Sequence, residues 1–267
     1  MSDDNKHINQ KQKGLRVFKL KKKLEDPNYG YYYFDNSGQI DDADKDLFLN
    51  EKIYPANPDT KNNTRNCYMV IGKSGAGKSV LTADYICHYY DKVINPKSQQ
   101  MFIISPKTYD PAFNKYTINR PALNERNFVN PETKLIFNDF VFDEDGNQEP
   151  SALIIFDDVE GIHNNKVRDG VLELMNSCLV NARSVNISVV CIVHNPFLKC
   201  FKTALLECNW VCFFPQSINQ RIFDKFLYDH MGLLRGDRKV LKDIKARHLF
   251  INQNQPIALT PFSAHII

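Results

Sequence analysis

Eight consecutive residues, Gly72-Lys73-Ser74-Gly75-Ala76-Gly77-Lys78-Ser79, combine the requirements of an anion site. Glycines let backbone N–H groups converge on oxygens with no Cβ in the way. The closing lysine and hydroxyl offer a cation for phosphate and a ligand for Mg²⁺. The run satisfies GxxxxGK[ST] in full, against a chance expectation from composition of about 0.003 matches. An apolar run, CYMVIG (67–72), precedes it and a helical segment from Lys78 to about Tyr90 follows. The start of that helix then faces the anion. Gly72, Lys73, Ser74, Gly75, Ala76, Gly77, Lys78, Ser79 and Val80 are therefore expected to hold ATP, with Lys78 on the β- and γ-phosphates and Ser79 on Mg²⁺.

Metal-assisted phosphoryl transfer also needs a carboxylate near Ser79. Asp157 closes the run LIIF at the carboxyl end of a strand, where open α/β sheets bind ligands. Asp158 follows directly and Glu160 comes two residues later. Strand alternation turns Asp157 and Asp158 to different sides. It assigns Asp157 to Mg²⁺ and Asp158 to the attacking water, with Glu160 as reserve base. The next strand, NISVVCIV (186–193), is preceded by Arg183 and ends in His194-Asn195-Pro196. By themselves these read as a cation at a helix end and a turn.

Strands and helices must alternate to present these groups along one edge. Further strands are expected at MFIIS (101–105), TKLIF (133–137), SALIIFDD (151–158) and NWVCFF (209–214). Helices are expected over about 167–182 and 217–229, with a turn at Asp145-Gly146 and a hairpin within 247–261. That order implies an α/β fold: a mainly parallel sheet with helices on both faces. Residues 1–60 read as a basic arm and extension packing on the core, through the aromatic cluster Tyr29 to Phe34. Residues 61–267 form the nucleotide-binding domain.

Composition bounds the alternatives. The chain has 267 residues, 43% hydrophobic and 24% charged, which excludes a disordered or low-complexity protein. No apolar run reaches 18 residues, and the polar N-terminus lacks a secretory signal pattern. The net charge of +3 is too small to argue for nucleic acid, but its distribution is uneven. Eight Lys/Arg against two acids leave +6 on residues 1–23 and −3 on the remainder. The seven cysteines form no CxxC pair and are expected to be reduced core thiols.

Together these segments resemble the FtsK–HerA superfamily of P-loop motor ATPases, most closely the poxvirus-type genome-packaging ATPases of large DNA viruses, virophages and Maverick-type elements. The carriers are GKSGAGKS, FIISPK (102–107), LIIFDD (153–158), NARSVNISVVCIVHNP (181–196) and NWVCFFPQSINQRIFDKFL (209–227). His194 stands where a sensor Gln is usual, Asp157-Asp158 where many relatives carry Asp-Glu, and Asn186 in place of a turn glycine. The resemblance implies a RecA-like, additional-strand P-loop NTPase fold and a homo-oligomeric ring with ATP between subunits. Arg183 would reach a nucleotide, in its own subunit or across that interface, and His194 or Asn195 would sense the γ-phosphate. Lys166 and Arg168 would touch DNA phosphates. The activity implied is ATP-driven translocation of double-stranded DNA, without sequence preference, into a capsid, with capsid proteins as partners. Its place would be the host cytoplasm, a viral factory or the virion, not a membrane or the exterior. The alternatives are a conjugation or repair-type DNA pump and a nucleotide-gated scaffold with negligible turnover.

Overall fold

The structure, a computed structural model, describes residues 16–19, 32–34, 40–42, 48–49, 52–53, 65–87, 90, 100–141, 152–255, 257–261 and 263–267. Five short strands come first: β1 (Arg16–Lys19), β2 (Tyr32–Phe34), β3 (Ile40–Asp42), β4 (Phe48–Leu49) and β5 (Lys52–Ile53). Strands β2 and β3 pair with each other, as do β4 and β5. The apolar runs then become β6 (Cys67–Ile71), β7 (Met101–Ile104), β8 (Ala152–Asp157), β9 (Ile187–Val193) and β10 (Trp210–Phe213). Strands β6, β8, β9 and β10 are buried along their whole length, as continuous apolar runs require when both faces are covered. The hairpin β11 (Leu249–Asn252) and β12 (Ile257–Thr260) leads into β13 (Ser263–Ile266).

Nine strands form one sheet in the order β1-β13-β12-β11-β10-β6-β9-β8-β7. The five from β10 to β7 are parallel and the flank from β11 to β1 is antiparallel. The loop-bearing strand β6 and the acid-bearing strand β8 are thus separated by β9, the additional strand expected from the resemblance. From β6 the chain crosses to the far edge at β7. From β9 it crosses back over β6 to β10. This reversal opens a crevice at the carboxyl ends, where such sheets bind ligands.

Period-2 alternation divides the core. Met69, Ile71, Ile154, Phe156, Val189 and Cys191 pack on one face, and Tyr68, Val70, Leu153, Ile155, Val190 and Ile192 on the other. The second face is covered by α1 (Lys78–Leu81), which runs on into a π-helical turn, Thr82–Cys87. The first face is covered by α2 (Glu125–Phe128), α3 (Asn165–Asn181), α4 (Lys202–Glu207), α5 (Gln220–Lys225) and α6 (Arg235–Lys242). Helix α3 starts where the Asn164 side chain accepts from the amides of Lys166 and Val167. It crosses α2 so closely that a Cβ on Gly170 would lie 1.8 Å from the Phe128 carbonyl oxygen. At its other end the Arg65 guanidinium donates to the carbonyls of Cys178 and Leu179, orphaned acceptors of the last turn, and to that of Ile187 at the start of β9.

Three sequence expectations change. The run 133–137 is not a strand: Asp139 accepts from the Ile136 amide at 2.8 Å and draws the chain into a 3₁₀ turn, Phe137–Phe140. Phe140 is buried there, edge-on to Phe102. The expected helices at 78–90 and 217–229 each open as an α-helix and continue as a π segment, the second at Phe226–His230. Helix α6 was not expected, since RGDRKVLK is strongly polar and offers only Val240 and Leu241 as apolar side chains. The turn at Asp145-Gly146 lies outside the described residues, as does most of 1–60. Strand β1 pairs with β13 at the sheet's antiparallel edge. Six cysteines are buried, Cys200 is half-buried, and all seven are free. Burial pushes the Cys67 thiol up to about 11 and that of Cys178 up to about 12.

Candidate nucleotide site

Register aligns the motif residues along one edge of the sheet. Ile71 is level with Val193 on one side and with Phe213 on the other, while Asp157 is level with Ile192 and Ile104 with Phe156. Gly72, His194 and the acids therefore leave their strands at the same height. The loop from Gly72 to Gly77 turns through two left-handed glycines, Gly75 (φ +75°) and Gly77 (φ +98°), where other residues would be strained. It is backed by the Phe214 ring, which a Cβ on Gly72 would approach to 3.3 Å. Lys73, Ser74 and Gly75 remain exposed.

Lys78 is 7% exposed and lies back on the loop. Its Nζ donates to the carbonyls of Gly72 at 2.8 Å and Lys73 at 3.2 Å, and lies 3.3 Å from His194 Nδ1. Burial lowers its pKa, against the opposing pull of Asp158 and Asp157. His194 Nε2 lies 3.1 Å from Asp158 Oδ1, an ion-pair distance, so this ring spans from the loop lysine to the acids. The backbone amide of His194 donates to Glu160 Oε1 at 3.4 Å. Asn195, by contrast, uses its side-chain oxygen to accept from the Phe197 amide at 3.0 Å, a local turn. Of the two sensor candidates, His194 is the one in contact with Lys78 and Asp158.

Asp157 is 1% exposed. Its Oδ2 accepts from the Ser105 hydroxyl at 2.9 Å and from Lys107 Nζ at 3.3 Å. Its Oδ1 is buried and has no hydrogen-bond partner. Burial raises its pKa, and the neighbouring Asp158 charge adds to the rise. Asp158 does not follow the expected alternation. It lies beyond the end of β8 in the left-handed region (φ +49°), so the period-2 rule no longer applies. Both acids consequently meet one ammonium, with Lys107 Nζ 2.6 Å from Asp158 Oδ2. Burial alone would lower the Lys107 pKa, but its hydrogen bond to Asp158 and the Asp157 charge outweigh that and raise it. Glu160 occupies the next turn with Oε2 buried and unpartnered, and burial raises its pKa.

An orphaned buried carboxylate oxygen suits a hard divalent cation. Among the described residues no group of three or more His, Cys, Asp and Glu forms a metal cage. Mg²⁺ is commonly held in this way, through one or two carboxylates together with phosphate oxygens. Asp157, with its orphaned Oδ1, fits that pattern.

Arg183 is elsewhere. It is exposed in the turn before β9, whereas the loop faces the end of that strand. Seven residues of strand put roughly 20 Å between them. Within one subunit Arg183 does not reach the site. Lys166 and Arg168 lie on the first turn of α3, Lys166 exposed and Arg168 half-buried. Sequence reasoning missed two cations. Lys107 follows β7 directly, and its place at the carboxyl end of the strand beside β8 was the available signal. Arg247 lies against Gly77, with its Nη2 2.8 Å from where a Cβ would stand.

No protein-family model matches the chain. It is 27% identical over 196 residues to "Uncharacterized protein V3" of Sputnik virophage, covering 72% of this chain and 73% of that protein. Similar solved structures include the DNA-packaging ATPase B204 of Sulfolobus turreted icosahedral virus, with TM-score 0.44, 14% identity, 72% of this chain and 94% of that one. The genome-packaging NTPase B204 of Sulfolobus turreted icosahedral virus 2, in complex with AMP, gives 0.42 and 12% over 71% and 94%. The pCW3 conjugation coupling protein TcpA, with ATPγS, gives 0.44 and 10% over 75% and 61%. With five parallel strands, a strand between loop and acids, and a glycine-rich loop at the switch point, the chain has the additional-strand, RecA-like P-loop NTPase fold.

Proposed function

We propose that this protein is an ATP-driven motor that moves double-stranded DNA into a viral capsid. The observation that carries the reading is the alignment of Lys78, His194, Asp157 and Asp158 at one sheet edge beside a complete phosphate loop. The viral setting is supported by the motif resemblance and by the virophage relative.

The residues divide the chemistry. Loop amides and the start of α1 hold the phosphates. Lys78 exchanges its carbonyl partners on Gly72 and Lys73 for β- and γ-oxygens, gaining charge-assisted hydrogen bonds. Ser79 and Asp157 would hold Mg²⁺, which when bound neutralises charge between the phosphates. Asp158 orients the attacking water, with Glu160 in reserve, and His194 relays the state of the γ-phosphate from Lys78 to Asp158. Arg183, at the opposite edge, acts only on a neighbouring subunit's nucleotide, which requires the ring. Lys166 and Arg168 are candidates for sequence-independent contact with DNA phosphates.

The test is steady-state ATP hydrolysis with and without double-stranded DNA. Turnover that DNA stimulates and Lys78→Ala abolishes supports the motor. Nucleotide binding without turnover, with any nucleic acid, refutes it in favour of a nucleotide-gated scaffold.

A further inference from the structure

The loop is flanked on both sides, by β9 and by β10 with β11 beyond it. His194 arrives from β9. On the other side, β10 continues the parallel sheet and β11 returns antiparallel to it, with Leu249 level with Phe213 and Phe213 level with Ile71. A chain entering β11 therefore passes the carboxyl edge of β6 just before it enters the sheet. His248 is buried against Phe214 and Phe250, which anchors the entry. Arg247, one residue earlier, overhangs the loop, where its guanidinium occupies the space a Gly77 Cβ would need.

Two further observations give this placement a chemical meaning. On α6 two of the four cations share one carboxylate: Arg238 pairs with Asp224 at 3.0 Å, and Lys242 pairs with the same group, while Arg235 and Lys239 make no ion pair among the described residues. Arg247 is exposed, and among the described residues no carboxylate lies within ion-pair distance of it. A guanidinium without a counterion, held against a left-handed glycine whose neighbours present amides to an anion, is matched to phosphate oxygens.

We propose that Arg247 is a nucleotide-binding residue in the same subunit as the loop, donating to the phosphate chain from the β11 side while Lys78 donates from the β9 side. The inference rests on the nucleotide-binding part of the proposed function. Any Cβ on Gly77 would displace the guanidinium as well as strain the backbone.

The experiment uses the full chain and equilibrium titration with a fluorescent ATP analogue, competed by ATP, ADP and inorganic tripolyphosphate. Arg247→Ala should weaken ATP, ADP and tripolyphosphate alike by about tenfold or more, the loss expected for a hydrogen bond to a charged group. Arg247→Lys should recover part of the loss. The melting point without nucleotide should stay at the wild-type value, because an exposed, unpaired side chain contributes little to folding. Wild-type affinity in Arg247→Ala overturns the proposal, and so does a loss confined to ATP and ADP while tripolyphosphate competes normally. If the wild-type chain binds no nucleotide, the proposed function itself fails, which is a separate result.

Discussion

Lys107 is the cation on which the nucleotide-free acid pair depends, so Lys107→Met measures what that pair costs the fold. The substitution keeps the length of the stem and removes the charge. It leaves Asp157, 1% exposed, with only the Ser105 hydroxyl at 2.9 Å, and leaves Asp158 beside it with His194 alone. Removing one partner of a fully buried ion pair costs about 3–5 kcal/mol. The Lys107 side chain is 44% exposed, so water screens the pair and the loss is discounted to about 1–3 kcal/mol. For a chain of this size that lowers the melting midpoint by about 2–10 °C. The sign with pH follows from Asp157, whose folded pKa already lies above the ordinary carboxylate value. The folded state then holds its proton more tightly than the unfolded chain. Its ionised carboxylate therefore weighs against folding as pH rises above that of an ordinary Asp, and more so without Lys107. The gap between variant and wild type should be larger at neutral pH than at mildly acidic pH. Calorimetry of the nucleotide-free proteins at both pH values reads it directly. A variant that melts with the wild type at neutral pH, or a gap that pH does not change, refutes the electrostatic account of this pair.

Other consequences are equally open to measurement. Gly170→Ala gains about 1 kcal/mol of helix propensity but drives a methyl into the Phe128 carbonyl. Overpacking of that kind costs up to about 3 kcal/mol, so a lower denaturation midpoint is expected; an unchanged or higher one would mean that α2 moves freely away from α3. Native protein should react with a thiol reagent at Cys200 alone, since the other six thiols are buried; rapid labelling of Cys67 or Cys178 would contradict their burial. Asp158→Asn should bind ATP normally and lose hydrolysis while Glu160→Gln loses much less, both read by binding and turnover assays. The reverse pattern would move the base to Glu160, whose burial already raises its pKa.

The parts of the site legible in the sequence are those whose chemistry is local. The loop is contiguous, its glycines are dictated by backbone angles, and Asp157 is marked by the end of an apolar run. Asn186, read as a stand-in for a turn glycine, does adopt φ +54°. His194 and Arg183 needed the family resemblance, because a strand-end histidine and a turn arginine are ordinary on their own. The run 133–137 misled because five apolar-rich residues cannot report that Asp139 will bond back to Ile136. Lys107 and Arg247 were beyond a linear reading for a physical reason. Each is a single cation on a connecting segment, and only the strand order, with β7 beside β8 and β11 beside β10, brings it to the edge where the loop and the acids gather.

Displacement of a third strand from a triplex-bearing DNA duplex reports movement along DNA independently of hydrolysis, and it tests the motor reading most directly. The account predicts displacement with ATP and Mg²⁺, none with a non-hydrolysable analogue, and none with Lys78→Ala. Hydrolysis that proceeds at full rate while the third strand stays in place would contradict it.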